Sequence, residues 1–253
     1  MNLGLCTITN KHWPVEEVLA LAAEAGYDGV EIWGQDHVGN PGGDGEPDIE
    51  TCRAIADTAA DLDVEIPVYG SYLRPGTSGF DEEFGAELDA AVALGADLVR
   101  VWPGDQEFGE RDSDYWESVI ADLETAGERA ADRDVAITVE KHEGTLSNTT
   151  EGARRLIESV DVAAVGLNWQ PLFFLDADAV EKEAAALAPW VAGSSLNSGA
   201  NERPSSGRGG VASTPQYSSS VGSRSTFDSR SSLTVPDGTP GPLAISAVSS
   251  PGS

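Results

Sequence analysis

Six times in the first 190 residues, a short β-branched or apolar run gives way to an amphipathic, acidic stretch at helical spacing. That alternation leaves few topologies open, because a strand, a helix and a second strand make a parallel βαβ unit. The spacing predicts strands over 3–8, 29–33, 64–69, 98–102, 136–142 and 164–170, with helices over 15–25, 49–62, 82–94, 114–131, 150–159 and 177–187. Pro14 ahead of Glu16 and Glu17 suits a helical first turn, and Gly26 and Gly95 suit helix stops. At roughly 32 residues per unit, eight units would need close to the full 253, the usual size of a (β/α)8 barrel.

The pattern stops near Trp190. All but three of the 43 acids precede it, the exceptions being Glu202, Asp228 and Asp237, and the remainder is dominated by Ser, Gly and Pro. The chain divides into a regular part, 1–192, and a low-complexity segment, 193–253, of the composition that does not bury a core. Two readings stand: six units of open sheet with a natural Ser-rich tail, or a barrel whose last two units are replaced by frame-shifted sequence. Translating the coding DNA in the other two frames beyond Trp190 separates them, since only the second predicts a hidden acidic βα pattern.

The formal charge is −28, with only Lys11, Lys141 and Lys182 as lysines, and the acids are spread along the regular part. Such a surface repels phosphates and anionic lipid, so neither nucleic acid nor membrane is an expected partner. It resembles the surfaces of halophilic proteins, whose self-repulsion is screened in molar salt. Two cysteines, Cys6 and Cys52, make no disulfide framework, and no signal peptide or long apolar run is evident, so a cytoplasmic location is expected.

Successive strand side chains point to opposite faces. Val30 and Ile32 therefore oppose Glu31 and Trp33; Val99 and Val101 oppose Arg100 and Trp102; Ile137 and Val139 oppose Thr138, Glu140 and His142; Val165 and Leu167 oppose Gly166, Asn168 and Gln170. In a barrel the second set points inward, and its C-terminal rim is where active sites lie. Inward charges cost several kcal/mol unless paired or ligand-bound, so the convergence reads as functional. His12 and His37 read as exposed loop histidines. The Gly-rich loop 39–45 lacks the Lys-Ser/Thr of a nucleotide-binding loop and reads as a rim loop.

The stretches Gly26-Tyr27-Asp28-Gly29-Val30-Glu31-Ile32, Thr138-Val139-Glu140-Lys141-His142-Glu143-Gly144-Thr145 and Val165-Gly166-Leu167-Asn168-Trp169-Gln170-Pro171 resemble those of the xylose isomerase-like sugar phosphate isomerase/epimerase superfamily. The resemblance implies a TIM barrel with a divalent metal (Mn²⁺, Mg²⁺, Co²⁺ or Zn²⁺) held by groups on strands five to eight. Glu140 matches the strand-five ligand, and Gln170 stands where many members have Asp. The strand-seven and strand-eight ligands have no match, because the region after Gly193 holds no His and one Glu. The implied chemistry is proton transfer beside a carbonyl, with two carboxylates removing and returning the proton through an ene-diolate. On this reading Glu140 and His142 are the catalytic candidates. Trp33, Arg100, Trp102, Asn168 and Gln170 are the substrate-binding ones.

Structural alternatives accompany each. Glu140 suits an ion pair with Arg100, His142 a satisfied rim histidine, Asn168 and Gln170 an internal amide network, and Trp33 and Trp102 barrel packing. At the level of function, a sugar or sugar-phosphate isomerase/epimerase stands beside a polyol-ketone dehydratase and a non-catalytic carbohydrate-binding barrel. A sugar or polyol is the expected partner; an incomplete barrel also exposes strand edges that a second copy can cover, making a homodimer an option.

Overall fold

Which side chains meet helices and which meet the sheet interior is decided here by strand parity. The computed structural model describes residues 2–39, 45–172, 175–192 and 245–248, the last as backbone. In chain order the elements are β1 (Asn2–Cys6), a 3₁₀ turn, α1 (Val15–Ala25), β2 (Gly29–Trp33), the short α2 (Gly34–His37), α3 (Ile49–Asp61), β3 (Glu65–Gly70) and α4 (Phe80–Leu94). They continue with β4 (Leu98–Val101), α5 (Ser113–Ala131), β5 (Ala136–Glu140), α6 (Thr150–Ser159), β6 (Val165–Asn168), α7 (Ala177–Leu187) and β7 (Ile245–Val248).

Strands β1 to β6 are parallel and lie in chain order, and β7 adds antiparallel to β1. Beyond β6, Val191 bridges to Leu167 in parallel, and Ala192 N–H donates to the Leu167 carbonyl. A seventh parallel segment thus begins where the composition changes. A Cβ on Gly166 would sit 2.8 Å from that of Ala192, so the glycine permits this approach. The rest of 193–253, where strand-seven and strand-eight ligands would fall, lies outside the described residues, as does most of the Gly-rich rim loop.

Helix starts follow local chemistry. Asp112, Thr149 and Asp176 accept backbone N–H groups of the first turns of α5, α6 and α7, satisfying donors that would otherwise be orphaned. Gly26 and Gly95 close α1 and α4 with φ of 79° and 72°, a left-handed conformation that costs glycine little. Pro14 precedes α1 rather than opening it.

The aliphatic strand set, Val30, Ile32, Val99, Val101, Ile137 and Val139 among them, joins the helix side chains in one buried core. Each such side chain contributes about 1.5–3 kcal/mol by leaving water. The opposite sheet face carries its own small cluster of Val68, Leu98 and Ala136 near the strand starts. Register stacks Gly70, Arg100 and Thr138 above that floor, and Glu140 beside Asn168 above them. An apolar floor and a polar top on one face position the site.

Lys141, next to Glu140, is fully buried on the helix side and pairs with Glu183 of α7 at 3.2 Å. Glu183 also accepts from Thr150 Oγ1 (2.7 Å) and Trp169 Nε1 (3.0 Å), tying α7 to the ends of β5 and β6. Among the described residues, no helix is long and apolar enough to cross a membrane.

Candidate functional site

Arg100 is the centre of the polar layer. Its Nε donates to Glu31 Oε1 at 2.9 Å, and its Nη1 donates to Glu140 Oε2. Glu140 Oε2 also accepts from Trp102 Nε1 at 2.6 Å, while Oε1 accepts from the Gln170 amide. Glu31, Arg100 and Glu140 are only 5%, 3% and 6% exposed. Burial disfavours the guanidinium charge, but Glu140 and Glu31 outweigh it and hold Arg100 above its ordinary pKa. Two carboxylates and one guanidinium leave this buried triplet formally negative. Replacing buried ion pairs by apolar side chains is often neutral or stabilising, so stability alone does not account for the cluster.

Aromatic rings wall the triplet. Trp33 meets Tyr72 edge-on at 4.8 Å, Tyr72 meets Trp102 at 4.9 Å, and Trp102 stacks on His142 at 4.8 Å with 25° between planes. Arg100 lies over Trp33 at 5.1 Å, and Arg74 over the outer Trp102 ring at 4.5 Å. His142 is half-buried, and its Nδ1 lies 2.6 Å from the Glu143 carbonyl. A carbonyl only accepts, so Nδ1 is the donor in this contact.

The fold therefore gathers Trp33, Arg100, Trp102, Glu140 and Gln170, sets His142 against Trp102, and holds Asn168 in register beside Glu140. Trp102, His142 and Gln170 lie one or two residues past their strands, which end at Val101, Glu140 and Asn168 rather than at 102, 142 and 170. Glu31 belonged to the inward set, yet its contact with Arg100 spans 69 residues and has no local signal. Tyr72 and Arg74 escaped sequence reasoning because they follow β3, whose Ile66-Pro67-Val68-Tyr69 run reads as apolar on both faces. His37 differs from expectation: it is buried in α2, and that burial lowers its pKa. His12 is exposed.

A divalent metal would draw on Glu140 and Gln170. Both Glu140 oxygens already accept N–H groups, and one of these comes from a guanidinium. At about 4 Å and an effective dielectric of about 20, like charges repel by about 4 kcal/mol per unit charge. Among the described residues, no three His, Cys, Asp or Glu side chains converge to hold an ion. The side chains present do not fit the metal that the resemblance implies.

No curated protein matches this chain in sequence. Among solved structures, a probable 3-DHS dehydratase, AsbF, from Bacillus anthracis superposes with a TM-score of 0.65 at 21% identity, over 76% of this chain and 72% of that one. A D-allulose 3-epimerase from Methylomonas sp. gives 0.59 at 15% identity, over 76% and 70%. An IolI protein with a binding zinc atom gives 0.55 at 20% identity, over 66% of this chain and 62% of that one. At these identities the likeness is one of fold. The family described as xylose isomerase-like TIM barrel matches residues 19–193, well over half the chain, and the chain belongs to that family.

Proposed function

We propose that this chain binds a small sugar or polyol ketone, with or without phosphate, and moves a proton on the carbon beside the carbonyl, as an isomerase or epimerase. The observation that carries the reading is Glu140, a buried carboxylate at a strand end, held among Arg100, Trp102 and Gln170 inside an aromatic wall. Gln170 is exposed and neutral, so its amide is the donor a ligand displaces most cheaply, freeing Glu140 Oε1 as the proton acceptor. Arg100 steadies the oxygen that gains negative charge as the ene-diolate forms. Glu31, across the guanidinium, supplies the second carboxylate that the chemistry needs. Trp33 and Trp102 supply the apolar wall beside the sugar, and His142 hydrogen-bonds a substrate hydroxyl. If the ene-diolate expels the hydroxyl on the next carbon, which leaves as water with the proton Glu140 had taken, the same residues perform a dehydration. The metal implied by the resemblance enters no step, because the donor set does not fit it.

A second reading, a sugar-binding barrel without catalysis, is favoured by Glu140 being fully engaged, since both its oxygens already accept N–H donors. Product analysis with a ketose and inosose panel, phosphorylated and not, in molar KCl separates the readings. Conversion lost in Glu140→Gln supports the enzyme. Binding without conversion supports the second reading, and neither binding nor conversion refutes both.

A further inference from the structure

Resting on that reading of the site, we infer that Arg100 is its resident cation, held between the carboxylates of Glu31 and Glu140, and that Arg100 Nη2 and Trp33 Nε1 are the donors for a ligand oxygen. Three observations converge. First, the guanidinium is clamped by carboxylates on two sides, Glu31 through Nε and Glu140 through Nη1, as a ligated cation is. Second, Nη2 of Arg100 and Nε1 of Trp33 are buried and have no hydrogen-bond acceptor among the described residues. Buried donors are rarely left unpaired, because each unmade bond costs about 1–3 kcal/mol, so two on neighbouring side chains mark a place for an acceptor. Third, Gly70 of β3 lets the end of the guanidinium lie close against the sheet backbone. In register, Gly70 pairs with both Trp33 and Arg100. A Cβ there would lie 2.5 Å from Nη2, and its φ is not in the left-handed range that demands glycine. Close approach, rather than backbone conformation, is what requires glycine at 70.

The N–H groups of a guanidinium and an indole donate to an oxygen whether it is neutral or negatively charged, and a carbonyl or hydroxyl oxygen of a ketose meets that need. The arrangement differs from Lewis-acid chemistry in one measurable respect: binding and proton transfer do not depend on added divalent ion.

The experiment titrates MnCl₂ and ZnCl₂ calorimetrically into EDTA-treated full-length protein in molar KCl, and repeats ketose conversion with excess EDTA. The expected result is no stoichiometric ion site that depends on Glu140, with conversion retained in EDTA. One equivalent of Mn²⁺ or Zn²⁺ bound by the native chain and lost in Glu140→Gln overturns the inference, as does conversion abolished by EDTA and restored by metal. Should no ketose be bound or converted, the reading of function fails, and the titration alone decides for or against the cation. Trp33→Phe tests the donors, since it keeps a ring in the wall and removes only Nε1–H. A KM for the converted ketose raised about tenfold, with an unchanged unfolding midpoint, supports the assignment; an unchanged KM refutes it.

Discussion

Arg100 and Glu140, on adjacent parallel strands and two residues apart in register, share a hydrogen bond in which almost no solvent reaches either side chain. Arg100 binds Glu31 on its other side, so removing the guanidinium takes a counter-charge from two buried carboxylates at once. Arg100→Met is expected to cost about 3–5 kcal/mol, read from urea unfolding. In a Glu31→Gln, Glu140→Gln background the same substitution strands no charge and costs much less. Equal costs in the two backgrounds would show that the three side chains are not coupled.

Glu87 of α4 accepts the Tyr69 hydroxyl at 2.5 Å. Burial raises its pKa above the ordinary 4.5, with the Tyr69 hydrogen bond opposing and Glu83 adding to the rise. A carboxyl with a raised folded pKa binds its proton more tightly in the native state. Its contribution to stability is fully present below the unfolded value and is lost as pH rises through the folded one. The difference in unfolding free energy between the native chain and Glu87→Gln should therefore shift in favour of the variant from pH 4 to pH 7. Parallel pH curves for the two would contradict this.

How much of this was legible in the sequence depends on whether a signal is local. The opposition of Val30 and Ile32 to Glu31 and Trp33 is a two-residue alternation, and β2 lies where that alternation predicts. Thr149 and Asp176 sit at helix starts, so α6 and α7 carry the predicted bounds. The end of β1 was not legible: Thr7 Oγ1 accepts the Trp33 N–H and the chain turns into a 3₁₀ helix, where an apolar run had suggested two more strand residues. In the site, inward parity singled out Glu140, Arg100, Trp102 and Gln170, but which donor meets which oxygen is a tertiary fact. Tyr72 and Arg74 carry no periodic mark at all.

The charge of −28 predicts a salt response. Raising KCl from about 0.1 M to about 1 M shortens the Debye length from about 10 Å to about 3 Å and screens repulsion among surface carboxylates. The thermal midpoint should rise by several degrees across that range, with most of the gain at the low-salt end. A flat or falling midpoint would show that surface repulsion does not limit stability.

The claim on which the rest depends is that residues facing inward from four strands of the sheet form one proton-transfer site around Glu140. Proton NMR of a ketose incubated with the protein in D₂O and molar KCl reads this directly, because a proton removed by Glu140 is replaced by solvent deuterium. The account predicts deuterium entering at the carbon beside the carbonyl with the native chain, and slowed at least a hundredfold by Glu140→Gln. Exchange at the same rate in native and variant protein, or none with any ketose tested, would contradict it.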